Sequence, residues 1–330
     1  MRLAAIGFRH GHIWGMLDGL LATGKFDLTA LAEDDQYRAR AAEKYPKAKQ
    51  FADWRRCLDE SRPDAVTLVT TNDVKGAVIA ECLRRGVGVF ADKPLFLSEK
   101  DLEAARAAYD AAERKPAFSA LLGLRTHPPH WTARRLIREG RIGRIVQAYG
   151  WRPHKLGPAG RASWELNLRQ NGGVLMDLAL HDYDFIAWLM NSKATEVTAY
   201  ASLTRYTDLG DFWDNGQMMV RFASGSTAMI EADWLTPDAS PYHGDCRMMI
   251  LGTSGFIEVF EATKRLLLTT NEAATAEVTP DANVPDLYQD FLAQWEGKGS
   301  VLTPSEIFES SRVCLAATAS ARAAGRKISL

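Results

Sequence analysis

Asp177 and His181 stand four residues apart in Gly173–Leu189, a stretch whose apolar spacing predicts a helix, so a carboxylate and an imidazole share one helix face. Imidazole has an ordinary pKa near neutrality, which suits it to take a proton, and a neighbouring carboxylate can orient it or relay that proton. Lys93 follows the apolar run Val87–Ala91, at the carboxyl end of an expected parallel strand, the edge where open α/β sheets bind ligands. A lysine there can lower the pKa of a hydroxyl and fix its position, and Pro94 restricts the backbone behind it. Removing a hydride from a secondary alcohol calls for such a set: a base for the hydroxyl proton and positive charge for the developing alkoxide. On spacing alone, Asp177 and His181 read first as a plain surface pair; they could instead be two metal ligands joined by His154 or His243. There is no HExxH and no third ligand at a telling distance, so no metal is expected.

A second group of residues could hold a nucleotide. Ile6-Gly7-Phe8-Arg9-His10-Gly11-His12 joins an apolar run to a helix-length stretch, the place where backbone approaches a pyrophosphate closely and helix amides donate to it. Only Gly7 and Gly11 remain of a GxGxxG pattern; Arg9 replaces the middle glycine and the spacing is one residue short. Arg9 is expected to meet the pyrophosphate by charge. His10 and His12 either touch phosphate or cap the helix. Glu33, followed by Asp34, ends the second apolar run about 20 residues past the turn, where an acceptor for a ribose 2′-hydroxyl belongs. A solvated loop acid is the plainer reading of the same residue.

These residues need elements to position them. Up to residue 122, apolar runs (Leu3–Ile6, Leu28–Ala32, Ala65–Val69, Val87–Ala91, Ala117–Leu122) alternate with helix-length stretches (Ile13–Ala22, Tyr37–Tyr45, Trp54–Asp59, Val74–Arg85, Asp101–Glu113). Ser98 and Asp101 form a loose capping box before the last of these. Strands alternating with helices imply βαβ units and a parallel sheet. From residue 123 the pattern changes. Trp131–Arg138 and Gly173–Leu189 read as helices, and Glu196–Tyr206, Gln217–Phe222, Thr227–Trp234, Arg247–Leu251 and Phe256–Phe260 as strands. Ala223–Ser226 is a tight turn, so the strands on either side form an antiparallel hairpin. In Thr227–Trp234 one face is apolar and the other mixed, as in a sheet that helices cover on one side. Two helices, Pro285–Trp295 and Pro304–Ala324, close the chain. The expected domains are 1–122, α/β and dinucleotide-binding, and 123–330, α+β on a large open, mostly antiparallel sheet, for substrate binding and oligomerisation.

The 330 residues suit two such domains, at about 150 residues each. A net charge of -1 supplies no electrostatic footprint for nucleic acid, and no apolar run approaches a membrane span of roughly 18 residues. The amino-terminal segment lacks a signal-peptide cleavage site, and the four cysteines are scattered without a CxxC, so a cytoplasmic location is expected.

Several segments fall in a telling order: Thr70-Thr71-Asn72, Asp92-Lys93-Pro94, Arg125, Gly140–Gly143, Gly172-Gly173 leading to Asp177-x-x-x-His181, and Gly252–Gly255. Over nearly the whole chain this resembles the glucose-fructose oxidoreductase / inositol dehydrogenase (Gfo/Idh/MocA) family. Asp92 stands for the family's usual glutamate before Lys-Pro, and Lys75 for its usual histidine after Thr-x-Asn. The resemblance implies an amino-terminal Rossmann-type sheet, a nicotinamide cofactor and a sugar, polyol, inositol or related hydroxyl substrate. It implies catalytic roles for Lys93, Asp177 and His181. Cofactor contacts are expected from Gly7, Phe8, Arg9, His10, Gly11, Glu33, Asp34, Thr70, Thr71, Asn72, Asp92, Lys93 and Pro94, and substrate contacts from Arg125, Arg152, Trp164 and Asn167.

The expected activity is therefore NAD-dependent dehydrogenation of a secondary hydroxyl. The alternatives are a non-catalytic sugar or nucleotide sensor on the same scaffold and an oxidoreductase acting on dihydrodiols or glycosides. NAD is expected over NADP, because Glu33 and Asp34 repel a 2′-phosphate and no arginine follows them before Arg38. The mixed face carrying Met229 is expected to associate with a second copy, as a homodimer or homotetramer.

Overall fold

Buried parallel strands read as short apolar runs because helices cover both of their faces, and six such strands form the first sheet. The computed structural model describes residues 1–330, the side chain of Asp35 excepted. The strands are β1 (Arg2–Ile6), β2 (Asp27–Ala32), β3 (Lys49–Phe51), β4 (Ala65–Leu68), β5 (Gly88–Ala91) and β6 (Phe118–Ala120). They are all parallel, in the order β3-β2-β1-β4-β5-β6. Between them run α1 (His12–Ala22), α2 (Asp35–Lys44), α3 (Trp54–Ser61), α4 (Asn72–Arg84) and α5 (Glu99–Ala111). The strand order reverses between β1 and β4, the switch point at whose carboxyl edge such sheets bind ligands. Ser98 caps α5 by accepting from the Asp101 N–H at 3.1 Å, and its own hydroxyl donates to the Asp101 carboxylate at 2.8 Å.

The second sheet has nine strands in the order β14-β13-β12-β11-β7-β10-β9-β8-β15. They are β7 (Ile145–Pro153), β8 (Ala194–Ser202), β9 (Asn215–Phe222), β10 (Thr227–Asp233), β11 (Arg247–Gly252), β12 (Gly255–Phe260), β13 (Arg265–Thr270), β14 (Ala276–Glu277) and β15 (Ile328–Ser329). Only β7 and β10 pair in parallel. Helices α6 (Pro128–Arg138), α7 (Leu168–Asn171) and α8 (Leu180–Met190) belong to this half, and α9 (Leu287–Trp295) and α10 (Pro304–Arg322) follow β14.

The structure departs from the sequence reading in four places. The expected 123–330 domain is interrupted: one unit comprises Met1–Leu121 with Asp286–Phe308, the other Leu122–Pro285 with Glu309–Leu330. Aromatic residues of α9 explain the first unit. A Cβ at Gly19 would lie 2.1 Å from the Tyr288 ring and one at Gly88 2.2 Å from Trp295, so both positions admit the α9 aromatics only as glycine. Phe291 packs on Phe26 and Phe90 beside them. Gly173–Leu189 is not one regular helix, because Leu175–Ala179 forms a π-helical turn that leads into α8. The strand expected to reach Tyr206 stops at Ser202, because the amides of Thr204, Arg205 and Tyr206 turn to the Asp214 carboxylate. Strands β3, β13, β14 and β15 had no expected counterpart.

The alternation read in β10 holds. Ala228, Ile230 and Ala232 are buried, whereas Met229 is 45% exposed on the other face, with Met219, Tyr200 and Trp151 also exposed there from β9, β8 and β7. Glu231 and Asp233 share this second face of β10. Burial, then the hydrogen-bonded Asp233 carboxylate, pushes the Glu231 carboxyl up to about 9. An unfolded glutamate titrates near about 4.3, so the folded chain holds an extra proton between these values and stability falls as pH rises through that window. Glu231→Gln is expected to raise Tm at pH 8 and flatten its fall between pH 5 and 9, as followed by circular dichroism melts.

Candidate active site

Positive φ at Gly7 (86°) shapes the β1–α1 turn, and a Cβ there would come within 2.5 Å of the Val69 and Thr70 backbone. The Gly7 N–H donates to the Ala32 carbonyl at 2.9 Å and the Arg9 N–H to that of Val69 at 3.2 Å, tying the turn to the ends of β2 and β4. A cleft of about 200 Å³ opens along this edge, lined by Gly7, Arg9, Glu33, Asp34, Thr70 and Thr71 among others. His10 Nδ1 accepts from the His12 N–H at 3.2 Å as α1 begins. Gly11 precedes His12, and a Cβ at Gly11 would meet nothing within 4 Å. A glycine turn, a helix N-terminus and a β2 carboxylate on one edge are the donor and acceptor set a dinucleotide requires, so these residues fit one.

Phe8 contributes its backbone, not its ring, to this edge. The side chain is buried beside Trp14, while its N–H points to Glu33 Oε2 at 3.4 Å. Arg9 does not turn toward the helix N-terminus as expected. Its Nε and Nη2 donate to the two Glu33 carboxylate oxygens, each at 2.9 Å, and Nη2 also reaches Asp34 at 2.5 Å. Two arginines therefore stand at Glu33: Arg9 from the β1 turn on its carboxylate, and Arg38 of α2, whose Nη1 donates to the Glu33 carbonyl at 3.0 Å.

At the end of β5, Asp92 is buried and accepts from His12 Nδ1 at 3.0 Å, with His10 Nδ1 3.9 Å away. Burial acts to raise its carboxyl, but the His12 hydrogen bond and the charges of Lys75 and Lys93 hold it well below the usual carboxylate range. Lys75 is fully buried and donates to Asn72 Oδ1 at 2.8 Å. His12 and Lys75 are thus part of this charged group; His12 was expected at phosphate or at the helix cap, and Lys75 was given no role, although its place in the first helical turn after Thr70-Thr71-Asn72 was the signal. Lys93 is half-buried beside Asp92, and the Lys93–Pro94 peptide is cis.

The second unit holds the other expected residues. Asp177 lies in the π-helical turn, nearly buried, and Asn171 Nδ2 donates to it at 3.4 Å. Asn171 is itself positioned by the Gly173 N–H, which donates to its Oδ1 at 3.0 Å. His181 is half-buried in the first turn of α8. Four residues make slightly less than a turn in π geometry and slightly more in α geometry, so the two positions still share a face.

Arg125 and Arg152 do not sit as substrate-facing cations. Arg125 is 1% exposed, donates to both oxygens of Asp184 at 2.8 Å, and stacks near Trp188. Arg152 is buried between Asp182, in close contact, and Glu261 at 3.0 Å. A buried cation must be paired, and both arginines meet that need with acids from the α8 segment. Trp164 is buried, and Asn167 caps α7 by accepting from the Arg169 N–H at 3.0 Å. His154 and His243 pack edge-on against each other, ring centroids 4.8 Å apart.

A doubly wound parallel sheet with a glycine turn at its switch point, followed by a nine-stranded open sheet, defines a dinucleotide-binding α/β protein with an α+β second half. Residues 5–120 match the model of an oxidoreductase family with an NAD-binding Rossmann fold, and residues 130–258 match the GFO/IDH/MocA C-terminal domain. The chain belongs to the Gfo/Idh/MocA oxidoreductase family. It is 26% identical to the scyllo-inositol 2-dehydrogenase (NAD(+)) of Bacillus subtilis over 68% of this chain and 63% of that one. It is 30% identical to the 1,5-anhydro-D-fructose reductase of Ensifer adhaerens over 52% of this chain and 51% of that one. The first matches span about three fifths of those relatives' lengths. A solved Thermotoga maritima protein, proposed to be an oxidoreductase, superposes with a TM-score of 0.90 at 26% identity over 100% of both chains. The fold of levoglucosan dehydrogenase, solved with NADH, is also shared, at a TM-score of 0.82 and 19% identity over 100% of this chain and 98% of that one. No helix among the described residues is long and apolar enough to cross a membrane.

Proposed function

We propose that the protein is an NAD-dependent dehydrogenase that transfers hydride at a secondary hydroxyl of an inositol, sugar or related polyol. The observation that carries this reading is the cleft at the β1/β4 switch point, lined by both Gly7 and Glu33. The inositol dehydrogenase and anhydrofructose reductase among its relatives support the substrate class. Gly7, the backbone of Phe8, Arg9, His10, Gly11, Glu33, Asp34, Thr70, Thr71, Asn72, Asp92, Lys93 and Pro94 hold the dinucleotide, whose nicotinamide, when bound, supplies the hydride acceptor. Lys93 places positive charge on the reacting oxygen, His181 takes the hydroxyl proton, and Asp177 orients His181 or the substrate. Trp164 and Asn167 stay assigned to substrate contact; Arg125 and Arg152 act through the acids they pair with. Glu33 and Asp34 favour NAD over NADP by repelling a 2′-phosphate.

The reading is tested by incubating the purified protein with NAD or NADP and a panel of inositols, polyols, sugars and disaccharides, following reduced nicotinamide by absorbance. No reduction by any member sinks the dehydrogenase assignment, and a better rate with NADP overturns the cofactor preference.

The exposed Tyr200, Met219, Met229 and Trp151 form a poor solvent surface and a good self-association surface. The protein is assigned as a homodimer or homotetramer built on this sheet face. Light scattering is expected to give two or four chain masses at micromolar concentration, and a monomer mass across that range would discard the assembly.

A further inference from the structure

The carboxylate that would meet the adenosine ribose is already half of an ion pair. Arg9 spans both oxygens of Glu33 at 2.9 Å and reaches Asp34 at 2.5 Å, and its guanidinium lies 4.0 Å from the centre of the Tyr37 ring. Stacking on Tyr37 holds the plane of the guanidinium without consuming a donor. Among the described residues, Nε and Nη2 make all of its hydrogen bonds, so the two Nη1 donors are unspent. The side chains of Arg9 and Glu33 are 22% and 11% exposed, and both line the cleft. They are therefore within reach of a ligand there, yet drier than surface charges.

A lone carboxylate at the end of β2 accepts ribose hydroxyls and repels a 2′-phosphate, whereas an arginine nearby accommodates one. Here both groups occupy the same place. From these contacts we infer that Arg9 makes the ribose end of the cleft a two-way subsite: Glu33 accepts the hydroxyls of NAD, and the Arg9 fork turns to the 2′-phosphate of NADP. The inference rests on the dinucleotide reading proposed above. NAD remains preferred, since the Glu33 and Asp34 carboxylates outnumber the one guanidinium that pairs with them, but the preference is shallow because Arg9 cancels about half of the charge that would otherwise exclude the phosphate. Planar guanidinium suits this exchange, since it binds carboxylate and phosphate by the same paired donors.

The test compares dissociation constants for NAD and NADP by calorimetry at low and moderate salt, in the wild type, Arg9→Gln and Glu33→Gln. The wild type is expected to bind both, NADP the weaker by less than about tenfold. In Arg9→Gln, NADP affinity is expected to fall roughly 10- to 100-fold further than NAD affinity, as for loss of a charge-assisted hydrogen-bond pair. Glu33→Gln is expected to improve NADP binding. A circular dichroism melt matching that of the wild type shows that Arg9→Gln folds. The inference is overturned if Arg9→Gln weakens both cofactors equally, leaves NADP unaffected, or binds neither. A wild type that binds neither cofactor removes the dinucleotide reading as well, and one that binds NAD but rejects NADP by more than about a thousandfold removes the two-way subsite alone.

Discussion

Alanine at Lys93 is expected to lower turnover by about 100- to 10,000-fold, the range for removing a group that acts on the reacting proton or oxygen. The dissociation constant for NAD is expected to stay nearly unchanged. Lys93 follows β5, next to a carboxylate already satisfied by His12 and flanked by Lys75. Asp92 therefore keeps most of its electrostatic support when Lys93 is lost, and the cofactor wall it belongs to should persist. What disappears is a cation whose charge acts mainly on the substrate oxygen as it gains negative charge. Because that charge is largest in the transition state, the loss falls on kcat more than on KM. Lys93→Arg separates charge from placement: a planar fork on a different stem keeps the charge and misplaces it, so only partial recovery is expected. Stopped-flow and steady-state measurements on the true substrate decide the matter. Near-normal turnover in Lys93→Ala removes the lysine from the chemistry, and a matching collapse of NAD binding reassigns it to the cofactor wall.

Much of this arrangement can be read along the chain, because buried parallel strands and their helices alternate in apolarity. The short strand Lys49–Phe51 escapes that reading: it has three residues, two of them polar, at the sheet's edge. The return of Asp286–Phe308 to the first unit escapes it for another reason. Tyr288 and Trp295 fill space that exists only because Gly19 and Gly88 lack a Cβ, and nothing in the sequence joins residues that far apart.

The site shows the same division. Lys93, Asp177 and His181 stand out as chemistry at the ends of elements. The Arg9–Glu33 pair does not, since it joins residues 24 apart through the path of a loop. Arg125 and Arg152 are expected at the substrate only through the family resemblance, whose matching segments face it. The sign against that placement was in α8, where Asp182 and Asp184 sit in an otherwise apolar helix and, once buried, require cations.

His181→Ala is expected to cost about 100- to 10,000-fold in the oxidation rate, the usual worth of a general base. Its pH signature distinguishes this from a structural effect. With the imidazole present, the rate of hydroxyl oxidation should rise with pH through one ionisation, because only the neutral ring can accept the proton. In His181→Ala that step should vanish, leaving a slow rate that climbs with hydroxide or with added imidazole. Asp177 should behave differently. Asn171 donates to it in the π-helical turn, and the role proposed for its carboxylate is to orient His181 or the substrate. Asp177→Asn should therefore slow turnover by less than His181→Ala and keep the ionisation, shifted toward lower pH because a neutral amide supports imidazolium less well than a carboxylate does. If His181→Ala retains the pH step at near-normal turnover, the base lies elsewhere. If the step survives there but is abolished in Asp177→Asn, the two residues exchange roles, with the carboxylate accepting the proton and the imidazole holding the substrate.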